Sequence, residues 1–351
     1  MKRLNILIWQ VHGSYLYYLT QTPHNFYMPS KPDRKGAYKG RLGKLPWGNN
    51  VFDVPFDLIK TLDFDCIIFQ QPAQYQEEQY VILSPEQRKL PKIYLEHDPP
   101  IEHPTNTRHF LDDPNVLMVH VTHFNSLMWD AGRTPRTVIE HGVVVPPNLR
   151  YKGNLEKGIV VINHLKQRGR CMGSDVYLQA RHEVPLDLVG KAAEDLEGGL
   201  AEAVNHDLLK FVSQYRFFFN PIRYSSLSLA VCEAMAIGMP IIGLATTEMV
   251  RVIKNDVSGY IDTRTDTLID YMKFLLENPK EAKRLGQGAR RYATEHFAIE
   301  RFIDDWNAVF HRVTGYLNSS VKESAADSDD NELPKSLRDR AIARLPKTSI
   351  N

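Results

Sequence analysis

The sequence predicts an α/β protein made of two doubly wound, Rossmann-like domains with parallel sheets. The chain has 351 residues, which exceeds the size at which one hydrophobic core usually stops growing. Short apolar runs recur along it and alternate with amphipathic stretches. Most of these runs are continuously apolar, as expected for parallel strands that are buried on both faces.

The predicted strands fall into two series, one for each domain. The first domain, residues 1–150, has apolar runs at 4–9, 66–69, 92–95, 116–121 and 137–139. The second domain, residues 151–300, has them at 158–162, 186–189, 216–219, 240–244 and 259–261. Residues 145–154 are rich in proline, glycine and polar side chains, which predicts the interdomain hinge there.

Four other segments are interpreted from their composition and residue pattern. Residues 22–50, with many prolines, glycines and aromatics, predict a long loop, and such loops are usually functional or disordered. A helix is predicted after Asn278, with Pro279 at its first position, and a final helix at about 297–316 packs back on the first domain. The polar, charged tail at 318–351 predicts disorder.

Bulk composition excludes several classes of protein. The net charge of +1 argues against coating of nucleic acid by electrostatics. The three cysteines contain no CxxC pair, which favours reduced thiols in a cytoplasmic protein. The N-terminal apolar run is too short for a signal peptide, and no run approaches the roughly 20 residues of a membrane span. We expect a cytoplasmic protein, soluble or attached to the inner face of the membrane at its surface.

Residues 217–243 carry the strongest functional pattern, which reads strand, loop, helix, turn, strand. A serine-rich loop enters a helix that begins near 226–229, and Gly238 and Pro240 end it. The free N–H groups and positive dipole end of such a helix suit a phosphate. Glu233, one to two turns further on, can accept hydrogen bonds from the two hydroxyls of a ribose. Together these groups predict a nucleotide site.

The same segment resembles the second domain of GT-B glycosyltransferases, in particular the retaining family 4 (group 1). Pro221, Tyr224, Leu229 and the run Glu233-Ala-Met-Ala-x-Gly-x-Pro240 match the family pattern in register. The resemblance implies that Glu233 binds the donor ribose and that the amides of Ser228 and Leu229 meet the diphosphate. Ser225 stands where the family has a glutamate that touches the donor sugar, so the identity of the sugar is not implied.

The resemblance also implies site residues elsewhere. A histidine and its neighbour after the third predicted strand, His97 and Asp98, would lie at the reacting centre. In the second domain, the family pattern is aligned so that His164 lies at the strand end. In that register Arg170 is the first candidate for contact with the diphosphate, and Arg168 is the second. The full set of predicted donor-binding residues is Gly13, His164, Arg168, Arg170, Ser225, Ser228, Leu229 and Glu233. His141 is predicted to be structural, and His120 and His123 lack a third ligand at metal spacing.

The activity implied is transfer of a hexose from a nucleoside diphosphate sugar, in particular a UDP-sugar, to a hydroxyl of a glycan or lipid-linked glycan. By the same resemblance the anomeric configuration is retained, and no metal or other cofactor is needed. Two alternatives remain: a UDP-sugar 2-epimerase-like isomerase of the same fold, and an inactive nucleotide-binding protein. A Rossmann dehydrogenase is disfavoured because no GxGxxG follows the first strand.

A cluster of basic residues lies in the predicted loop, with aromatic side chains interleaved. Its members are Lys31, Arg34, Lys35, Lys39, Arg41 and Lys44. One hypothesis is a flexible wall for an acidic or lipid-phosphate-linked acceptor, or a surface for anionic lipids. An ordinary solvated loop is the alternative.

Overall fold

The fold is that of a computed structural model, which describes residues 2–41, 45–200 and 207–315. Lys44 and the predicted tail at 318–351 lie outside the described residues. Within them the chain forms two parallel sheets, of seven and five strands. The predicted α/β class with two parallel-sheet domains is confirmed.

The first sheet has the strand order β3-β2-β1-β4-β5-β6-β7, and every neighbouring pair is parallel. Its strands are β1 (Asn5–Ile8), β2 (Asn25–Ser30), β3 (Val51–Pro55), β4 (Cys66–Phe69), β5 (Lys92–Glu96), β6 (Val116–His120) and β7 (Arg136–Val138). The chain order reverses between β1 and β4, which places a crevice at their carboxyl ends.

The second sheet has the order β12-β11-β10-β8-β9 and is also parallel throughout. Its strands are β8 (Leu155–Val161), β9 (Leu186–Val189), β10 (Tyr215–Asn220), β11 (Ile241–Leu244) and β12 (Gly259–Asp262). Here the order reverses between β8 and β10, so a second crevice opens at the carboxyl ends of these strands.

Helices cover the faces of both sheets. They are α1 (Gly13–Leu19), α2 (Gln79–Ile82), α3 (His123–Met128), α4 (Leu165–Arg168), α5 (Ser174–Glu183), α6 (Leu208–Val212), α7 (Leu229–Ile237), α8 (Met249–Val252), α9 (Thr265–Glu277), α10 (Pro279–His296) and α11 (Ile299–Thr314). Because both sheet faces are covered, the central strands are fully buried, as the continuous apolar runs predict.

The prediction of one long loop at 22–50 is wrong. β2 lies inside that segment and β3 follows it, and the two pair over five residues, Phe26↔Val51 to Ser30↔Pro55. Prolines within both strands hid them, since proline is normally confined to sheet edges or strand ends. Pro29 lies beyond the last residue of β2 that pairs with β1, Tyr27, and Pro55 ends β3 on the sheet edge.

Three cations of the basic cluster make contacts with other side chains of the protein. Arg34 pairs with Asp53 at 2.8 Å, and Arg41 approaches the same carboxylate at 3.8 Å. The Lys31 ammonium lies 3.9 Å from the ring centre of Tyr38. Asp53, outside the predicted loop, is therefore the counter-charge that local sequence inspection missed. These contacts give three of the basic residues a structural role.

The last helix, α11, packs against the first domain. Arg301 donates a hydrogen bond to the Glu140 carbonyl at 2.9 Å and another to the His141 carbonyl, and the Trp306 indole meets the Tyr15 hydroxyl at 3.3 Å. A Cβ at Gly142 would lie 2.3 Å from Phe302, so this glycine permits the close approach. The chain thus crosses from the first domain to the second and returns. Within the described residues, no helix has the length and apolar character that crossing a bilayer requires.

Candidate active site

A cleft of about 970 Å³ opens where the carboxyl ends of the two sheets face each other. The first domain contributes residues that follow β1, β5, β6 and β7, and the second contributes residues that follow β8, β9 and β10. Both sheets therefore present their topological switch points to the same space, which is where open α/β sheets bind ligands. Of the predicted site residues, those that line it are His97, Asp98, Arg168, Ser225, Ser228, Leu229 and Glu233.

The start of α7 presents free amides to the cleft. Ser228 is the N-cap residue in an extended conformation, and its hydroxyl accepts the Ala230 N–H at 3.2 Å. Within the described chain the N–H groups of Ser228 and Leu229 have no hydrogen-bond partner. Gly238 (φ 95°) ends the helix in the left-handed conformation that glycine favours. The result is a short, well-delimited helix whose positive end faces the cleft.

Glu233 is half-buried in the cleft, one turn into α7. Its Oε1 accepts a hydrogen bond of 2.5 Å from the Tyr18 hydroxyl, which comes from α1 of the first domain. Burial raises the pKa of Glu233 to about 7, and the bond from Tyr18 opposes that rise. Among the described residues Oε2 has no hydrogen-bond partner, which leaves it available to a ligand. Sequence reasoning did not predict Tyr18, which is 215 positions away from its partner.

The cations that line the cleft do not follow the predicted order of preference, in which Arg170 came before Arg168. Arg170 lies outside the lining, because its guanidinium pairs with Asp175 at 2.5 Å. Arg168 lines the cleft, and so does Lys191, which follows β9. Neither of these two side chains has an ion-pair partner in the part of the chain that the structure describes. Lys191 was missed, although Gly190-Lys191 at a strand's carboxyl end was a visible signal.

Two further predicted donor residues lie outside the lining. His164 has a positive φ of 55° and is exposed, and its N–H bonds the Lys191 carbonyl at 2.7 Å. Gly13 is the first residue of α1, and a Cβ built there would lie 3.5 Å from Leu45 and 3.6 Å from Gln10. Residues next to them line the cleft instead: Asn163 beside His164, and His12 and Ser14 beside Gly13. Burial lowers the pKa of His12.

His97 and Asp98 lie at the first-domain wall of the cleft. The His97 ring contacts His12, with ring centres 4.1 Å apart, and the edge of Tyr15, at 4.9 Å. Burial lowers the pKa of His97 well below its usual value, and His12 and His141 add to the effect. The Asp98 backbone is fixed by its N–H on Glu96 (3.0 Å) and by the Trp129 indole on its carbonyl (2.8 Å).

Polar contacts hold the two domains together at the rim of the cleft. The Ser226 hydroxyl donates to the His97 carbonyl at 2.5 Å, and the Asn125 amide donates to Ser226 at 2.7 Å. Glu248, only 3% exposed, accepts the Phe124 N–H at 2.8 Å, at the start of α3. The Arg251 side chain contacts both Glu248 and Glu140. The loop at 246–248 is thus part of the interdomain contact.

Of the remaining histidines of interest, His120 and His141 are buried packing residues and His123 is exposed. His141 is buried and its Nε2 bonds the Leu227 carbonyl at 3.0 Å, as a structural role predicts, and it also borders the cleft. His120 is fully buried on β6, while His123 begins α3. Across residues 2–41, 45–200 and 207–315, no three His, Cys, Asp or Glu side chains are grouped so that they could hold a metal ion.

A family model matches most of the second domain. Residues 200–292 match the family model for glycosyl transferases group 1, and this region contains α7, the Ser228 cap and Glu233. We call this part of the chain the group 1 domain, after the family model that it matches. The predicted resemblance to the group 1 glycosyltransferases is thereby confirmed.

Known proteins with similarity to this chain include glycosyltransferases. Sucrose synthase from Nitrosomonas europaea is 28% identical over 120 residues, a match that covers 29% of this chain and 15% of the length of that relative. Among solved structures, sucrose-phosphate synthase from Thermosynechococcus elongatus superposes with a TM-score of 0.62 at 13% identity, over 90% of this chain and all of that one. HepE from Anabaena, in complex with UDP and glucose, has a TM-score of 0.61 at 14% identity, over 88% of this chain and 99% of that chain. These superpositions agree with the GT-B fold of the group 1 domain and its partner domain.

Proposed function

We propose that the protein is a retaining, metal-independent hexosyltransferase that uses a UDP-sugar and a glycan or lipid-linked glycan acceptor. The observation that carries this proposal is one cleft that holds the free amides of Ser228 and Leu229 and the Glu233 carboxylate. Donor groups for a phosphate and an acceptor for a sugar diol thus lie on the same helix. His97 and Asp98 face them from the other domain.

The diphosphate of the donor binds at the start of α7. Its oxygens accept bonds from the Ser228 and Leu229 amides, and the helix dipole favours the negative charge. Arg168 and Lys191, unpaired in the described chain, add positive charge at the same cleft. Fixed cations stabilise the charge that develops on the diphosphate as the glycosidic bond breaks. In this proposal they take the part that a metal ion plays in other transferases.

The ribose of the donor binds to Glu233. Oε1 already receives the Tyr18 hydroxyl, so a ribose hydroxyl meets Oε2 or shares the carboxylate with Tyr18. A bond from an uncharged hydroxyl is stronger to a carboxylate than to a neutral acid. Binding of the nucleoside therefore favours the ionised form of Glu233 and lowers its pKa from the value near 7 that burial imposes.

The transfer step is a front-side displacement at the anomeric carbon. The acceptor hydroxyl forms the new C–O bond on the face from which the diphosphate leaves, and its proton passes to the leaving diphosphate oxygen. Attack on the same face retains the anomeric configuration. His97 and Asp98 line the wall at which the sugar and the acceptor meet. Ser225, in place of a glutamate, leaves a small neutral group near the sugar.

Similar structures support the choice of donor. HepE from Anabaena has been crystallised with UDP and with UDP-glucose, and TarM from S. aureus with UDP and α-GlcNAc-glycerol. These ligands belong to those proteins, and they motivate UDP-sugars as the first donors to test here. The TarM complex, which also contains fondaparinux, likewise motivates glycans as the first acceptors to test.

The test is nucleotide binding followed by turnover. In thermal-shift measurements with UDP, GDP, ADP and the corresponding nucleotide sugars, the UDP compounds should raise the melting temperature most. The reason is that a ligand selective for the folded state stabilises it. Glu233→Ala should weaken UDP binding by at least about tenfold, roughly 1.4 kcal/mol. The matched control is Glu295→Ala, at an exposed position.

Three outcomes would contradict the proposal. One is no shift with any nucleotide, and another is unchanged affinity in Glu233→Ala. The third is conversion of the donor sugar without any acceptor, which would identify an isomerase. Release of UDP that depends on an added glycan, with an α-linked donor giving an α-linked product, would support it.

A further inference from the structure

Gln70 is a buried polar side chain next to the cleft to which the proposed reaction assigns no role. It follows β4 directly and is only 7% exposed. The neighbouring strand β5 leads to His97, so the two residues lie at adjacent carboxyl ends in the first sheet. The Oε1 atom of Gln70 is 2.9 Å from Nε2 of His97.

The orientation of the Gln70 amide is fixed by its other contact. Nε2 of Gln70 lies 2.6 Å from the Trp9 carbonyl oxygen. A carbonyl oxygen can only accept, so the NH₂ group must face Trp9, and Oε1 must face the imidazole. Since Oε1 also can only accept, Nε2 of His97 must carry the proton. The geometry therefore defines the tautomer of His97.

The segment that bears Gln70 is itself anchored. Oε1 of Gln74, a residue only 1% exposed, accepts the Gln70 N–H at 2.8 Å and the Gln71 N–H at 3.2 Å. The backbone of His97 is held from the opposite side, where its carbonyl accepts bonds from Asn125 (2.9 Å) and Ser226. The backbone is thus held on both sides of the Gln70–His97 bond, and the Gln70 amide cannot turn without losing its bond to the Trp9 carbonyl.

The second ring nitrogen of His97 is Nδ1. In the described ranges no hydrogen bond reaches Nδ1, and His97 lines the cleft. His12, Tyr15 and His141 face the ring, and burial among them keeps the pKa of His97 low, so the ring is neutral. A neutral ring that is protonated on Nε2 has a lone pair on Nδ1, which accepts a hydrogen bond and cannot donate one.

We infer that Gln70 is a positioning residue, which holds His97 as the Nε2–H tautomer so that Nδ1 accepts a hydrogen bond from a hydroxyl of the bound substrate. The inference concerns the site of the proposed transferase and rests on that function only for the nature of the substrate. A site built to accept from a hydroxyl discriminates strongly against an analogue that lacks it. The cleft therefore selects a substrate with a sugar hydroxyl opposite His97. Gln70 contributes to this selection without contacting the sugar.

The tautomer can be measured without substrate. In protein labelled with ¹⁵N-histidine, the parent is expected to show a proton-bearing Nε2 and an unprotonated Nδ1 for His97 at neutral pH. The signal is assigned by its loss in His97→Gln. Gln70→Met, of similar length but without polar atoms, should abolish the preference and give a mixture of tautomers. The control is Gln79→Met, a buried glutamine whose amide likewise bonds a backbone carbonyl, that of Tyr75.

The inference is overturned if the parent carries its proton on Nδ1 or is doubly protonated at neutral pH. It is also overturned if folded Gln70→Met keeps the Nε2–H tautomer alone. If Gln70→Met does not fold, the parent spectrum still decides the tautomer, and comparison of the donor with its deoxy analogues tests the accepted hydroxyl.

Turnover supplies the second readout. Gln70→Met should lower kcat by about 10- to 100-fold while the KM for the donor changes little, because the nucleotide is held by the other domain. An equal loss in Gln79→Met would indicate a merely structural effect and would overturn the inference. If the parent transfers no sugar at all, the proposed function fails, while the tautomer result stands separately.

Discussion

At the scale of single residues, the Glu233 carboxylate takes part both in a contact between the two domains and in the proposed chemistry. It lies on α7 of the group 1 domain, yet its protein partner is Tyr18 of the first domain. The motif predicted Glu233 from local sequence, because the spacing of residues on one helix fixes their relative positions. Tyr18 could not be found in that way, since the contact depends on how α1 and α7 approach each other.

The raised pKa of Glu233 makes stability depend on pH. Its folded pKa is about 7, above the ordinary value of 4.5, so the folded protein binds more protons than the unfolded chain between these values. Stability from this group is therefore present at low pH and is lost as pH rises through 7. From about pH 5 to about pH 8, the unfolding free energy of the unliganded parent should fall by about 1–3 kcal/mol relative to Glu233→Gln. Urea unfolding at several pH values checks this, and a constant difference would contradict the raised pKa.

The cations at the cleft allow a direct comparison of two neighbouring arginines. Arg168 and Lys191 line the cleft, whereas Arg170 pairs with Asp175. Arg168→Ala and Lys191→Ala should each weaken UDP binding by about 1–3 kcal/mol, because a charge-assisted bond to phosphate is lost. Arg170→Ala is the control and should change the affinity by less than about 0.5 kcal/mol. Calorimetric titration with UDP distinguishes them, and a larger effect at Arg170 would restore the order predicted from sequence.

At the scale of elements, the strand-loop-helix-strand unit around α7 was predicted almost to the residue. Its signals are local: an apolar strand, a serine N-cap, and the glycine at which the helix ends. β2 was missed because its signal is not local. It is a strand only because β1 and β3 flank it, and its proline made it resemble a loop. Asn278 was placed at the correct helix boundary, but its side chain bonds the Phe274 carbonyl of the preceding helix.

The packing of α10 on the end of α7 gives a test at this scale. A Cβ at Gly286 would lie 2.0 Å from the Gly238 carbonyl oxygen, so α10 can contact the end of α7 only with glycine there. Gly→Ala within an exposed helix normally stabilises by roughly 1 kcal/mol. Gly286→Ala should instead destabilise by about 1–3 kcal/mol, since overpacking forces the backbones apart.

Urea unfolding measures the effect of this substitution. Gln287→Ala, at the adjacent exposed position, is the control and should be neutral or slightly stabilising. Equal behaviour of the two variants would show that the contact between the helices is not close.

At the scale of the whole molecule, buried polar contacts between the domains add to the apolar packing that fixes their relative position. Glu248 is the most buried of the charged ones and satisfies the Phe124 N–H as well as Arg251. Glu248→Ala should lower the unfolding free energy by about 1–3 kcal/mol, because it leaves the Phe124 N–H without a buried partner. It should also widen the cleft, which small-angle X-ray scattering would detect as a larger radius of gyration. Glu295→Ala, at an exposed position, should change neither quantity, and an unchanged radius in Glu248→Ala would show that Glu248 does not hold the domains together.

The sequence alone determined the α/β class, the position of nearly every strand and the identity of the helix that begins at Leu229. These depend on hydrophobic periodicity, capping residues and short motifs, all of which act between residues close together in the chain. Only the tertiary structure decided which of the cations face the cleft, that Tyr18 occupies one oxygen of Glu233, and that Gln70 lies within hydrogen-bond distance of His97. Those facts depend on contacts between residues far apart in the chain, and such contacts exist only once both sheets have formed and the domains have met.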